Sequence, residues 1–256
     1  MTKVASPLLY VKIFLIIVFV AAVISIIYKS FTLINEGSFK SSSYNILYEG
    51  NHKYLIHIDN AGKKLFIVKL SDKDDVSAKS RVGKSLSLSV LIDGVIFVPD
   101  RDTESNPEAL FSLSSLLNLI FDKQIKYDNV NDFDLIKMFF AVGSIPRSQK
   151  YQSSGLENIR DIDLADKKVL DERLSVAVVN ASEINGVGSK MAQVLKSAGY
   201  NVVSIDSSES KKSQIIANIF DNASLTRLDN FLTVPNKKIN QQITDITVVV
   251  GKDLLK

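Results

Sequence analysis

The sequence predicts an α/β protein with an N-terminal single transmembrane helix, a first α/β unit and a small two-layer βαββαβ unit at the C-terminal end. Three observations predict it. Residues 13–28 are an uncharged apolar run, residues 54–70 alternate with period two around a turn, and residues 174–206 read strand, glycine turn, helix, strand. A chain of 256 residues can bury one large core or two small ones.

Composition narrows the function classes. Hydrophobic residues make up 46% and charged residues 23%, with a formal net charge of +3. No run of five basic residues occurs, so nucleic acid is not expected as a partner. The chain has no cysteine. Disulfides, thiolate metal sites, a cysteine nucleophile and an acylated cysteine anchor are therefore excluded.

The run at 13–28, "IFLIIVFVAAVISIIY", carries polar atoms only on Ser25 and Tyr28, and Leu8, Leu9, Tyr10 and Val11 extend it upstream. That supplies the roughly 20 apolar residues a bilayer-crossing helix needs. Lys12 can snorkel toward the headgroups. A cleaved signal would have an apolar core of about 7–15 residues and then a small-x-small site. Here the run passes Ala21 and Ala22 and continues through Ile27, so an uncleaved anchor is expected. Lys3 and Lys12 before the span, against Lys29 after it, favour a cytoplasmic N-terminus and an external bulk.

The expected organisation is a cytoplasmic tail at 1–12, an anchor at 13–30, a juxtamembrane spacer at 31–43, a first α/β unit at 44–145, a linker at 146–173 and a second unit at 174–256. In the first unit, 44–48 is strand-like, and "YLIHID" and "LFIVKL" form a hairpin around "NAGKK". A β run at 90–98 follows. Leu110, Leu113, Leu116, Leu117 and Ile120 then recur at helical spacing, and "NDFDLIKMFFAVGS" is a helix capped by Asn131 or Asp132 and ended before Pro146. The polar, turn-rich stretch from Pro146 reads as a connector with room for one short helix.

In the second unit, "LSVAVVN" is a buried-type strand. The next helix carries the stripe Val187, Met191, Val194, Leu195 and Ala198, closed by Gly199. "NVVSID", "SQIIANIF" and "DITVVVG" supply three more strands, and "SLTRLDNFL" a short helix capped by Ser224.

Each chemical motif has a plainer reading beside it. Gly186 and Gly188 imitate a dinucleotide fingerprint, with Asp206 in the place of the ribose-binding acid. The third glycine position, however, is Met191, and residues 181–185 separate strand from glycine, where a fingerprint turns at once. "AKSRVGKS" at 78–85 ends like a phosphate loop but has Ala78 in place of the first glycine, so a basic turn is expected. His52 and His57 are the only histidines. His57 alternates with Leu55 and Asp59 on one strand face and is expected at the surface. Asp72, Asp74 and Asp75, or Asp100 and Asp102, could hold Mg²⁺. Lys73 and Arg101 neutralise those clusters internally, and solvated loops are the expectation.

The stretch 174–206 together with "ITDITVVVGKDLL" resembles the LytR C-terminal domain that is appended to LytR/CpsA/Psr (LCP) envelope proteins. It shares an Asn-ended strand, a glycine turn, a helix ending in Gly-aromatic, and a closing Val-Val-x-Gly-Lys-Asp. The resemblance implies that the glycines are scaffold. The anchor, "YNILYEG", the hairpin, "IDGVIFV" and "VNDFDLIKMFFAVGSI" resemble, in order, a shortened LCP core. Active members of that family transfer glycopolymers from a lipid pyrophosphate, with arginines on the pyrophosphate and an Asp-held Mg²⁺. Where their first Arg-Asp pair follows the hairpin, this chain reads "SDKDDV" with Lys73, and the later arginine-bearing segment is missing between Arg81 and Leu91.

The resemblance therefore implies a bacterial extracytoplasmic cell-envelope protein without catalysis that binds cell-wall glycopolymer or an envelope partner. The alternative it leaves is a reduced LCP-type phosphotransferase. No catalytic, cofactor-binding or metal residue is assigned, and no cofactor is expected. Membrane lipid is the partner expected through the anchor.

Overall fold

A computed structural model describes residues 7–36, 41–71, 74, 76–99, 111–158, 164–209, 212–219, 221–238 and 243–255. The chain divides into two compact units, 1–37 and 38–256.

The first unit is one helix, α1 (Pro7–Glu36), 30 residues long. It continues through 31–36, where a spacer was expected, because no Gly or Pro follows Pro7 in the sequence until Gly37. Side chains are described at 11–25 and 28, and all of them are exposed, Phe14 and Phe19 at 64% and 70%. At 1.5 Å per residue, positions 11–25 extend about 22 Å, less than the ~30 Å of a hydrocarbon core. Among the described residues no helix is long and apolar enough to cross a membrane. The span expected at 13–30 extends beyond those side chains.

The second unit is mixed α/β with two sheets. The first sheet has the order β5-β4-β1-β2-β3-β6. Its strands are β1 (Ser43–Glu49), β2 (Lys53–Asp59), β3 (Lys64–Lys69), β4 (Gly94–Phe97), β5 (Lys126–Asp128) and β6 (Lys150–Ser154). The predicted hairpin is β2–β3, paired antiparallel from Tyr54↔Lys69 to Asp59↔Lys64. The β run expected at 90–98 contracts to β4, which pairs parallel to β1. β5 and β6 were not expected, because "KYD" and "KYQSS" offer no apolar alternation. β6 pairs parallel to β3 and so carries the stretch read as a connector into the sheet.

Apolar residues alternate between the two faces of this sheet. Ile46, Ile56, Ile67 and Ile96 pack under α3 (Leu113–Phe121) and α4 (Asp132–Gly143) with Leu116, Leu135, Met138 and Val142. Leu47, Leu55, Val68 and Val95 build a second core on the opposite side with Leu88, Ile92 and Leu164. Because both faces are covered, β1 is buried almost throughout. At α4, Asn131 is the cap, in a capping box with Asp134.

The second sheet has the order β10-β9-β11-β7-β8, built from β7 (Ser175–Ala181), β8 (Asn201–Ser207), β9 (Gln214–Ala217), β10 (Asn236–Lys238) and β11 (Ile246–Gly251). The element order corrects βαββαβ by one strand. β10 is "NKK", a polar three-residue edge strand that leaves no apolar signal. Helices α6 (Val187–Ser197) and α7 (Ala223–Leu232) bury Met191, Val194, Leu195, Leu228 and Phe231 against Val176, Val178, Ile215, Val248 and Val250. Asn222, not Ser224, caps α7 by accepting from Leu225 N at 2.7 Å. Gly199, at φ 97°, follows α6 as expected.

Where 78–85 was read as a basic turn, the chain forms α2 (Arg81–Leu88), capped by Ser80. Its two apolar positions four apart, Val82 and Leu86, enter the core of the second sheet and its helices. Helix α5 (Lys167–Glu172) is the short helix for which the connector left room.

Candidate functional site

Among the described residues, a buried group of charges is centred on Arg227. It projects from the apolar side of α7, three residues after buried Ser224 and four before buried Phe231, and is 1% exposed. Its Nη2 donates to Asp93 Oδ2 at 2.9 Å and its Nε to Asp93 Oδ1 at 3.3 Å. Its Nη1 lies 3.1 Å from Asp166 Oδ2 and donates to Ser43 Oγ at 3.1 Å. One guanidinium thus joins α7 to β1, to the turn before β4 and to the cap of α5.

The two carboxylates differ in their donors. Asp166 accepts from Ser42 N and Ser43 N at 3.2 Å, from Lys168 N at 2.8 Å and from the Ser42 hydroxyl. Burial pushes its carboxyl up, but Arg227 and these donors outweigh burial and hold it below the usual range. Asp93 receives Asn45 N at 2.8 Å besides Arg227. There burial dominates and the carboxyl is raised. Arg227 itself is raised: burial opposes its charge, and Asp93 and Asp166 favour it more strongly.

The network continues into the sheet. Asn45 donates from Nδ2 to Leu91 O at 2.7 Å, which turns its Oδ1 toward His57 Nδ1 at 2.6 Å. This arrangement assigns the proton to Nδ1, and Nε2 is buried with no hydrogen-bond partner among the described residues. His57 is therefore a core residue, contrary to the surface position expected of it. Its face of β2 reads Leu55, His57, Asp59, and packing from distant segments covers that face. Burial, together with the charges of Arg227 and Lys64, pushes its pKa down to about 3, while Asp166 acts the other way.

The remaining motifs also have structural work. In the phosphate-loop look-alike, Lys84 donates to Glu49 at 2.6 Å and to Val76 O at 3.1 Å, and the Ser85 hydroxyl donates to Arg81 O and accepts from Ile92 N. Arg81 is buried, bonding Ile92 O and Asp93 O, and Asn230 O in the last turn of α7, where a cation complements the helix dipole. In the dinucleotide look-alike, Gly186 is left-handed at φ 83° and caps α6. A Cβ on Gly188 would lie 3.1 Å from Asn180 Cβ and 3.2 Å from Ile205 Cγ2. These glycines set a turn and a close helix–strand contact. Met191 is buried in the core, and Asp206 is exposed beside Ser204.

His52 is exposed. Asp74 is held by Ser71 N and the Ser71 hydroxyl in an exposed turn. Asp72, Lys73, Asp75, Asp100, Arg101 and Asp102 lie outside the described residues. Among the described residues no group of three or more His, Cys, Asp or Glu could hold a metal ion.

Openings bordered by described residues include an apolar cavity and a polar cleft. An apolar cavity of about 20 Å³ lies between the first sheet and α3/α4, lined by Tyr48, Ile56, Leu116, Leu119, Met138 and Phe139 among others. That is space for about one water. A cleft of about 330 Å³ near the start of α7 is lined by Ser41, Lys168, Asp221, Asn222, Ala223 and Thr226. Its helix N–H groups are already bonded, Ala223 N and Ser224 N to Glu172 and Leu225 N to Asn222. Neither opening is lined by an arginine.

Against known proteins, the second sheet and its helices carry the one family assignment. Residues 173–254 match the LytR_C family, described as LytR cell envelope-related transcriptional attenuator. The C-terminal third is thus a cell-envelope-related domain. Among solved structures, the Lin1025 protein from Listeria innocua is similar at 10% identity and a TM-score of 0.31, over 45% of this chain and 83% of that one. No curated protein matches the chain.

Proposed function

We propose that this chain is a membrane-anchored extracytoplasmic cell-envelope protein, held by α1 with its N-terminus in the cytoplasm, that binds cell-wall glycopolymer or an envelope partner without catalysis. The LytR_C match at 173–254 carries the envelope assignment. The anchor is supported by α1, whose sequence is uncharged from 13 to 28 and whose described side chains are all exposed. Large apolar groups on every side of a helix require an apolar surrounding.

The absence of transfer chemistry is argued from charge and space. Binding a pyrophosphate takes several guanidinium groups converging on an open site. Arg81 and Arg227 instead point inward onto carbonyls and carboxylates. Arg147 and Arg173 are exposed on separate elements. A polyprenyl chain also needs a pocket of hundreds of cubic ångströms. The apolar cavity under α3 and α4 is more than tenfold smaller, and the 330 Å³ cleft near α7 is large enough but lined mostly by polar and charged residues.

Anchoring is tested on intact cells. Protease added outside should remove epitopes placed after residue 41 and leave a small fragment that floats with membranes. Protection of the C-terminal domain in intact cells would reverse the orientation, and recovery of the whole chain in the soluble fraction would remove the anchor.

A further inference from the structure

We infer that α3, together with Phe140 of α4, forms a hydrophobic contact with the phospholipid surface, a second membrane attachment that rests on the anchor reading above. Helix α3, "LSSLLNLIF", contains no charged residue. A helix packed on a sheet normally turns charges to solvent. This one turns Leu116, Leu119 and Ile120 inward and leaves Leu113, Leu117 and Phe121 outside at 60%, 46% and 75% exposed. Those three recur every fourth residue and so form one stripe. On the neighbouring α4, Phe140 is 68% exposed. Large apolar side chains gathered on two adjacent helices mark an interaction surface.

The occupant follows from charge and from connectivity. Around the stripe and Phe140, Lys123, Lys126 and Lys137 are offset by Asp122, Asp128 and Asp132. The patch therefore has no electrostatic preference, and it would enter a bilayer by its apolar side chains alone, independent of salt and of anionic lipid. Lipid is also the one partner the chain itself supplies. In sequence only residues 37–40 separate α1 from residue 41, a reach of at most about 18 Å at full extension. A bilayer holding α1 therefore stands at high effective concentration, so a patch too weak to bind membranes alone can engage.

The chain has no tryptophan, so an introduced one reports from a single place. Full-length chains carrying Phe121→Trp, or Val203→Trp on exposed β8 as a control, are reconstituted into phosphatidylcholine vesicles with and without acyl-brominated lipid. The tryptophan at 121 should be blue-shifted and lose most of its emission to brominated lipid, unchanged by raised salt, while the one at 203 keeps its emission. Emission at 121 as water-exposed and unquenched as at 203 would overturn the inference. So would a blue-shifted but unquenched signal, which would mean that protein covers the patch. Flotation of the same vesicles separates the two readings. Chains that float with unquenched tryptophan at 121 defeat this inference alone, and chains that fail to float defeat the anchor and this inference with it.

Discussion

Replacing Arg227 by alanine is expected to destabilise residues 38–256 by about 3–5 kcal/mol, the cost of leaving buried charge without its partner. The substitution strands two carboxylates at once. Asp93 and Asp166 lie on opposite sides of the same guanidinium, and Asp166 is fully buried. It also removes the donor to Ser43 and cuts the link between α7 and β1. Lysine should rescue little, since one ammonium cannot reproduce three nitrogens held in a fixed plane. Adding Asp93→Asn and Asp166→Asn to Arg227→Met removes the stranded charge and should recover part of the loss. Urea unfolding of the three variants measures this. A loss below about 1 kcal/mol for Arg227→Ala would place the network among solvated surface pairs and contradict its burial.

The second large effect is acid destabilisation through His57. Its folded pKa is pushed down to about 3 from 6.5. Above pH 6.5 the ring is neutral both folded and unfolded and contributes nothing to pH dependence. As pH falls through 6.5 the unfolded chain takes up a proton that the folded chain refuses until about pH 3. Stability therefore declines across that window, by on the order of 5 kcal/mol if the whole shift is expressed. The two carboxylates oppose each other. The depressed Asp166 loses its stabilising effect as pH falls through its folded value, whereas the raised Asp93 favours the folded state once protonated. The ring's own share is the difference between the unaltered chain and a His57 variant from pH 6.5 to 5. His57→Gln can still donate to Asn45 Oδ1 and should flatten the profile there. Equal stability of the unaltered chain at pH 7 and pH 5 would contradict the assignment.

What the sequence disclosed and what it hid have a common physical cause. The β2–β3 hairpin, α4 with its Asn131 cap and α6 with Gly199 are specified locally, by alternation, by capping and by a positive φ. The polar strands β5, β6 and β10 form because a neighbour offers backbone partners, which residue type does not encode. The same holds for His57. Its alternation with Asp59 suggests an outward face, and the group that closes over it comes from far along the chain. Arg227 meets Asp93 from 134 residues away. One signal was present all the same. Spaced three residues from Ser224 and four from Phe231, Arg227 falls on the apolar side of its helix, where an arginine needs buried partners. Similarly, Val82 and Leu86, four apart, mark α2 as a helix with an inward face. In the opposite direction, the glycines of 186–188 imitate phosphate chemistry, and only the approach of Asn180 and Ile205 shows that they serve packing.

We propose that this chain occupies the envelope without transferring glycan, while buried Arg81 and Arg227 hold the fold together. The most direct test supplies the full chain in vesicles with a polyprenyl-pyrophosphate-linked glycan, Mg²⁺ and peptidoglycan, and measures glycan covalently joined to peptidoglycan. Product should be no greater than in vesicles lacking the chain. Product that depends on the chain and disappears with Arg101→Ala or Arg147→Ala, in variants that retain the unaltered chain's stability, would contradict it.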